Sequence, residues 1–243
     1  MTIDAEFFAA ARDGGRVAIA TVVASPGNPP VGAKVLLRGD GSREGTLGDA
    51  GADDAAFAAA DELLWAQSSE LRELEGGLSV FVDVTAPPPR LFILGAVDHA
   101  SALTKLARLM GWRPYVCDPR TAFANEERFP EAEEVIKAWP DAAFEQLGID
   151  RATFIAVLTH DPKLDDAALT VALRSDAAYV GALGSRRTQE KRRARLADRG
   201  LTEAELDRLA APIGLDIGAI GPEETALAIM AEAVAVRNGV DAR

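Results

Sequence analysis

Four short polar stretches hold the residue types with which this chain can do chemistry: GAVDH (95–99), VCDPR (116–120), THDPKLDD (159–166) and GSRR (184–187). Each follows an apolar run that reads as a strand. In open parallel sheets, ligands bind beyond the carboxyl ends of the strands, where loops and helix N-termini meet. The two histidines of the chain, His99 and His160, both fall on that edge. GAVDH departs from the dinucleotide fingerprint G-x-G-x-x-G. Gly95 can make the tight turn, and the helix after it offers free amides to an anion. The second glycine position is Val97, whose branched side chain obstructs close approach of a pyrophosphate. Asp98 then precedes His99.

Asp118 lies 23 residues beyond Gly95, about where an acidic residue takes ribose hydroxyls in that fingerprint. Arg120 beside it either meets a phosphate or pairs with Asp118. In THDPKLDD, Thr159, His160 and Asp161 end a strand, and Asp165 and Asp166 stand at the start of a helix. One histidine among three carboxylates suits a metal. A His–Asp acid-base pair and simple helix capping fit the same residues, and composition does not choose. In GSRR, Gly184 allows close approach, Ser185 caps a helix, and Arg186 and Arg187 occupy its first turn. Cations there oppose the helix dipole, which points to an external anion such as phosphate. The rest of GSRRTQEKRRARLADR (184–199), seven Arg or Lys against two acids, reads as a solvated face or a contact for an acidic partner.

The elements that position these groups follow from periodicity. The prolines of APPP (86–89) break the chain into residues 1–86 and 90–243. In the first part, 17–25, 33–38 and 78–84 read as strands and 53–67 as an amphipathic helix, giving a small α+β domain. In the second, strands are expected at 90–95, 111–118, 134–139, 152–160 and 177–184, with helices at 100–110, 165–175, 186–199, 202–210 and 222–237. Strands that are apolar throughout and separated by helices make an α/β, doubly wound, Rossmann-like parallel sheet.

The totals narrow the partners. With 26 Lys+Arg against 38 Asp+Glu, the net charge is −12, which disfavours nucleic acid and anionic membranes. One cysteine, Cys117, and two histidines cannot build a structural zinc site, and no resident metal is expected. Without a long apolar run or a leader-like N-terminus, a cytoplasmic location is expected. There is no G-x-S-x-G, HExxH or P-loop.

Taken together, LFILGAVDHASALTKLARLMGW, VCDPRTAFANEERFPEAEEV, VLTHDPKLDDAALTVAL, YVGALGSRRTQEKR and APIGLDIGAIGPEETALAIMAEAVA resemble the Rossmann-like domain of the XdhC/CoxI family across roughly residues 90–238. TVVASPGNPPVGAKVLLRGDGSREGTLGDAG resembles the family's N-terminal domain more loosely. The family's usual GAGH turn becomes GAVDH here, with His99 matching the family histidine. Its usual Gly-Gly-Cys becomes Asp49-Ala50-Gly51, so the thiol is absent.

The resemblance implies a maturation chaperone that binds molybdenum cofactor, as molybdopterin or its dinucleotide form. It would hand the cofactor to an apo molybdenum hydroxylase of the xanthine or carbon monoxide dehydrogenase type. A sulfurase as further partner and a homodimer are also implied. On this reading the phosphate or nucleotide end meets Gly95 and Gly184 to Arg187. Asp118, with Arg120, takes a ribose or pterin edge, and Asp98, His99, Thr159, His160 and Asp161 line the rest. No catalytic residue is assigned. The alternatives are an NAD(P)-dependent oxidoreductase, using His160 as proton donor, and a non-catalytic sensing or scaffolding paralogue, favoured by Gly51.

Overall fold

The computed structural model divides into two compact units, residues 1–87 and 88–243, and describes residues 2–240; Met1 and residues 241–243 lie outside. The first unit contains α1 (Ile3–Arg12), β1 (Val17–Ala24), β2 (Lys34–Arg38), β3 (Arg43–Thr46), α2 (Ala50–Ala66), β4 (Glu70–Leu74) and β5 (Leu78–Thr85). Its sheet runs β3-β2-β1-β5-β4, antiparallel throughout. Side chains alternate across β1. Ala18, Ala20 and Val22 pack under α2 against Phe57, Leu63 and Leu64, while Val17 and Ile19 face Phe7 of α1.

The helix expected over 53–67 begins three residues earlier, because the Asp49 side chain caps it by accepting from the Ala52 amide. The expected strands omit β3 and β4, and the expected helices omit α1. β3 and β4 are charged edge strands (REGT and ELREL) with little burial, so neither shows the apolar alternation by which a strand is read.

The second unit contains β6 (Arg90–Leu94), α3 (Asp98–Leu109), β7 (Arg113–Cys117), β8 (Glu134–Ile136), α4 (Pro140–Leu147), β9 (Thr153–Val157), α5 (Pro162–Arg174), β10 (Tyr179–Ala182), α6 (Arg186–Asp198), α7 (Glu203–Asp207), β11 (Leu209–Ala210) and α8 (Pro222–Arg237). All its strand pairs are parallel, in the order β11-β10-β9-β6-β7-β8. Counted from β6, this is the doubly wound order 3-2-1-4-5-6, which reverses between β6 and β9. Both faces are covered, so β9, TFIAV, is buried at every residue. Leu91, Ile93 and Phe154 pack with residues of α3 and α8 on one face. Phe92, Leu94, Ile155 and Val157 pack with residues of α4, α5, α6 and α7 on the other. Each such large side chain contributes about 1.5–3 kcal/mol through burial.

Several expected boundaries move. The helix expected from 100 starts at Asp98, with Val97 as its cap and no capping side chain. The strand expected over 134–139 ends at Ile136, because Pro140 opens α4. The helix expected over 165–175 starts at Pro162. The helix expected over 202–210 is α7 alone, closed by a Thr202–Glu205 capping box at its start. It is followed by β11, a sixth strand that pairs with β10.

Candidate functional site

The loops after β6, β7, β9 and β10 gather at the carboxyl edge of the parallel sheet, and hydrogen bonds tie them into one frame. Gly95 adopts φ +106°, and a Cβ built on it would lie 2.6 Å from Thr159 Cγ2 and 3.0 Å from the Thr159 nitrogen. Only glycine lets β6 pass so close to the loop after β9. The Thr159 hydroxyl donates to the Asp165 carboxylate. The other oxygen of Asp165 accepts from Arg192 Nη2 at 2.7 Å. Arg192 also donates to the Leu183 carbonyl and to Gln189 Oε1, and Gln189 in turn donates to the Ala182 and Gly184 carbonyls. Gly95, Thr159 and Gly184 are therefore joined through Asp165, Gln189 and Arg192.

This frame decides among readings that the sequence left open. Asp165 and Asp166 are held by arginines and neither caps α5, since Asp161 is the cap and accepts from the Lys163 amide. Asp166 instead receives a two-pronged contact from Arg195 at 2.8 and 2.9 Å. Among the described residues no group of three His, Cys, Asp or Glu is arranged to hold a metal ion. The basic run of 184–199 is not a solvated face throughout. Arg192 is 1% exposed, and Arg193 pairs with Glu203 and Asp207. The arginines staple α6 to α5 and α7.

At the Gly95 turn the groups are already engaged. Asp118 is buried; its carboxylate accepts from the Ala96 amide and from the Arg120 amide and guanidinium at 2.7–2.9 Å. Burial alone would raise the Asp118 pKa, but these donors outweigh it and hold the carboxyl below its usual range. Of the two possibilities for Arg120, the structure forms the pair with Asp118, which raises the guanidinium pKa further. The Ala96 amide, one of the donors that a phosphate at this turn would seek, is thus taken.

Arg128 closes over the turn, donating to the Ala96 carbonyl and meeting the Asp98 carboxylate at 3.4 Å. Asp98 occupies the first turn of α3, where its own negative charge repels an anion. Beneath the turn, between Gly95, Asp118 and Thr159, the free space is only about 10 Å³, at the lower limit for a single water. The neighbouring Cys117 thiol is pushed up to about 12 by burial and by the charge of Asp118, so it is inert packing. His99 is half-buried at the start of α3, His160 is exposed before α5, and the two follow neighbouring strands.

The open space lies further along the edge. A cavity of about 790 Å³ is bounded by Leu183 and Arg186 on one side and by the loop from Pro212 to Ala219 on the other. Its size falls within the usual range for small-molecule sites. Ser185 caps α6 by accepting from the Thr188 amide. Gly184 is at φ +137°, and a Cβ there would crowd Gln189 Nε2 at 3.1 Å and Thr188 Cγ2 at 3.2 Å. Arg186 and Arg187 are exposed, and neither pairs with a carboxylate among the described residues.

The Pro212–Ala219 loop carries no cluster of polar residues, so chemistry-bearing spacing passes over it, although it belongs to the APIGLDIGAIG segment of the resemblance. Its backbone is pinned. Glu232, 2% exposed, accepts from the Gly214 amide at 2.8 Å and from the Tyr179 hydroxyl. The Ile213 amide donates to the Ala182 carbonyl.

In the first unit, Gly51 stands in the first turn of α2. It lines a separate cavity of about 450 Å³ with Asn28, Pro29, Asp49 and Glu75.

The comparisons with known proteins agree with this architecture. Residues 91–233 match the profile of the XdhC Rossmann domain, and residues 10–75 match that of the XdhC and CoxI family. The chain is 30% identical over 237 residues to an uncharacterized protein, YqeB, of Escherichia coli (strain K12), covering 91% of this chain and 43% of that one. It is 30% identical over 162 residues to a protein of Bacillus subtilis (strain 168) named as a probable xanthine dehydrogenase subunit, covering 67% and 47%. It is 29% identical over 151 residues to the molybdenum cofactor insertion chaperone PaoD of Escherichia coli (strain K12), covering 62% and 41%. The chain thus spans under half the length of these curated relatives.

A crystal structure described as a xanthine dehydrogenase from Bacillus halodurans superimposes with a TM-score of 0.58 at 20% identity. It covers 99% of this chain and 97% of that one, a likeness of fold. A parallel sheet in the order 3-2-1-4-5-6, a variant glycine turn beside His99, and two profile matches in sequence order make this chain a member of the XdhC and CoxI family.

Proposed function

We propose that this chain is a maturation factor that binds molybdenum cofactor and delivers it to a molybdenum hydroxylase of the xanthine dehydrogenase type. The observation that carries the reading is the cavity of about 790 Å³ beside the start of α6, with the unpaired Arg186 on its wall. That arrangement suits a phosphorylated ligand of pterin size, and relatives named as an insertion chaperone and as part of a xanthine dehydrogenase supply the chemical class. Gly184, Ser185, Arg186 and Arg187 hold the phosphate, and the Pro212–Ala219 loop holds the ring system. The bound cofactor would supply the molybdenum centre used by the client enzyme, while this chain binds, shields and releases it.

Either molybdopterin or its dinucleotide form is compatible with the reading, as are a homodimer, a sulfurase as second partner and a cytoplasmic location. No helix among the described residues is long and apolar enough to cross a membrane. An NAD(P)-dependent oxidoreductase shares the strand order. It is disfavoured because Asp118 takes the Ala96 amide and Val97 replaces the second glycine. The scaffold reading draws on one observation, the absence of a thiol at Gly51.

The test is reconstitution. Apo xanthine dehydrogenase mixed with cofactor-loaded chain gains activity faster than with free cofactor if the reading holds, and at the same rate if it does not.

A further inference from the structure

We infer that the cavity beside α6 selects a fused heterocycle with a 2-amino-4-oxopyrimidine edge, read by the Asp216 carboxylate, while Arg186 meets a phosphate on the same molecule. The inference rests on the carrier reading and names which part of the ligand this cavity takes.

Two ionised side chains of opposite sign line the cavity, Arg186 and Asp216. Among the described residues neither makes a hydrogen bond or an ion pair. Apart from Arg187, the arginines nearby behave otherwise, since Arg120, Arg128, Arg192, Arg193 and Arg195 are all paired with carboxylates. An unpaired cation and an unpaired carboxylate on one cavity suit a ligand that carries both an anionic group and a set of N–H donors. Apart from Thr225, the other walls are aliphatic or peptide, including Leu183, Ile213 and Ala228, which suits the face of a planar ring.

Asp216 is exposed, yet its backbone is not loose. The Leu215 amide donates to the Ala228 carbonyl, and the Ile217 amide donates to the Leu215 carbonyl. Gly214, at φ +88°, passes within 3.0 Å (Cβ position) of the α8 backbone at Ala228 and Ile229. Close packing against α8 therefore fixes where residue 216 stands.

A lactam N–H beside an exocyclic amino group presents two parallel donors, which match the two oxygens of a carboxylate as a guanidinium does. Hypoxanthine keeps the ring N–H and lacks the amino group. Adenine presents an amino group next to a ring acceptor, which the carboxylate repels. Guanine and pterin share the preferred edge, and a pterin is the ring system of the cofactor proposed above.

The experiment is equilibrium titration of the whole chain with GMP, IMP, AMP and neopterin phosphate at fixed salt. The expected result is that GMP and neopterin phosphate bind at least about tenfold more tightly than IMP or AMP, the loss of one charge-assisted hydrogen bond. Asp216→Asn removes the preference, and Arg186→Ala weakens GMP but not guanosine. A tighter neopterin phosphate assigns the cavity to the pterin end, and a tighter GMP to a guanine nucleotide end. Equal binding of GMP and AMP, no binding of GMP or neopterin phosphate, or an Asp216→Asn variant that keeps the preference overturns the inference. If the chain takes up molybdenum cofactor and Asp216→Asn does so equally well, this inference fails and the carrier reading stands. If GMP is selected through Asp216 but cofactor is not taken up, the carrier reading fails and this one stands.

Discussion

Arg192 of α6 and Asp165 of α5 form an ion pair of 2.7 Å with side chains 1% and 3% exposed. It joins the loop after β9 to the loop after β10, because Asp165 also accepts from Thr159 and Arg192 also donates to the Leu183 carbonyl. The edge on which a ligand would sit is thus preformed by internal charges and does not wait for the ligand.

Removing one partner leaves the other charge buried and alone. Arg192→Met is expected to cost about 3–5 kcal/mol in urea unfolding, whereas Asp165→Leu with Arg192→Met together costs much less. A single variant that loses under about 1 kcal/mol would show that the pair is not the tie described here.

Gly95→Ala would drive a Cβ into Thr159 at a left-handed φ, with an expected loss of about 2–4 kcal/mol. Gly218→Ala is the control. Its φ is +72°, but nothing lies within 4 Å of the added Cβ, so about 1 kcal/mol is expected. Equal losses at the two positions would remove the close approach of β6 to the β9 loop as a constraint.

The parallel sheet was legible because its signal is local. TFIAV and RLFIL are apolar runs buried on both faces, and the glycine turn follows directly from the first strand of that sheet. The Asp165–Arg192 tie was not legible, since its partners are 27 residues apart and each has an ordinary local explanation, a helix cap or a solvated basic face. The cavity wall at 212–219 was missed for a different reason: backbone and aliphatic side chains form it, with a single carboxylate. The edge strands β3 and β4 lack the apolar alternation that marks a strand, and α4, though amphipathic, is only eight residues long and opens on Pro140, which reads as a break.

Cys117 provides a pH test. Its folded pKa, about 12, lies above the ordinary thiol value of 9.0, so the folded state holds the proton more tightly than the unfolded chain. That contribution is fully present below the ordinary value and is lost as pH rises toward the folded one. Stability is expected to decline from about pH 9 upward, and Cys117→Ala to flatten that decline. Alkylation of the native protein at pH 8 should be far slower than after unfolding; equal rates would mean that the thiol is accessible.

Gly51 has no positive φ, and an added Cβ would meet only Asp49 Oδ1, at 3.3 Å. Gly51→Cys is therefore expected to fold with stability within about 1 kcal/mol of the parent. It should present a thiol, on the wall of the 450 Å³ cavity, that reacts with a maleimide in the native state. If the missing thiol is what limits delivery, this variant transfers cofactor faster than the parent; unchanged transfer would show that delivery does not use it.

The most direct test of the carrier reading is uptake. The chain is incubated with molybdenum cofactor released from a molybdenum enzyme and passed through gel filtration, and molybdenum and oxidised-pterin fluorescence are measured in the protein peak. The account predicts stoichiometric co-elution, weakened at least about tenfold by Arg186→Ala with Arg187→Ala, as expected for loss of charge-assisted phosphate contacts. Cofactor that elutes free, alongside tight NAD(H) binding with hydride transfer, would contradict it.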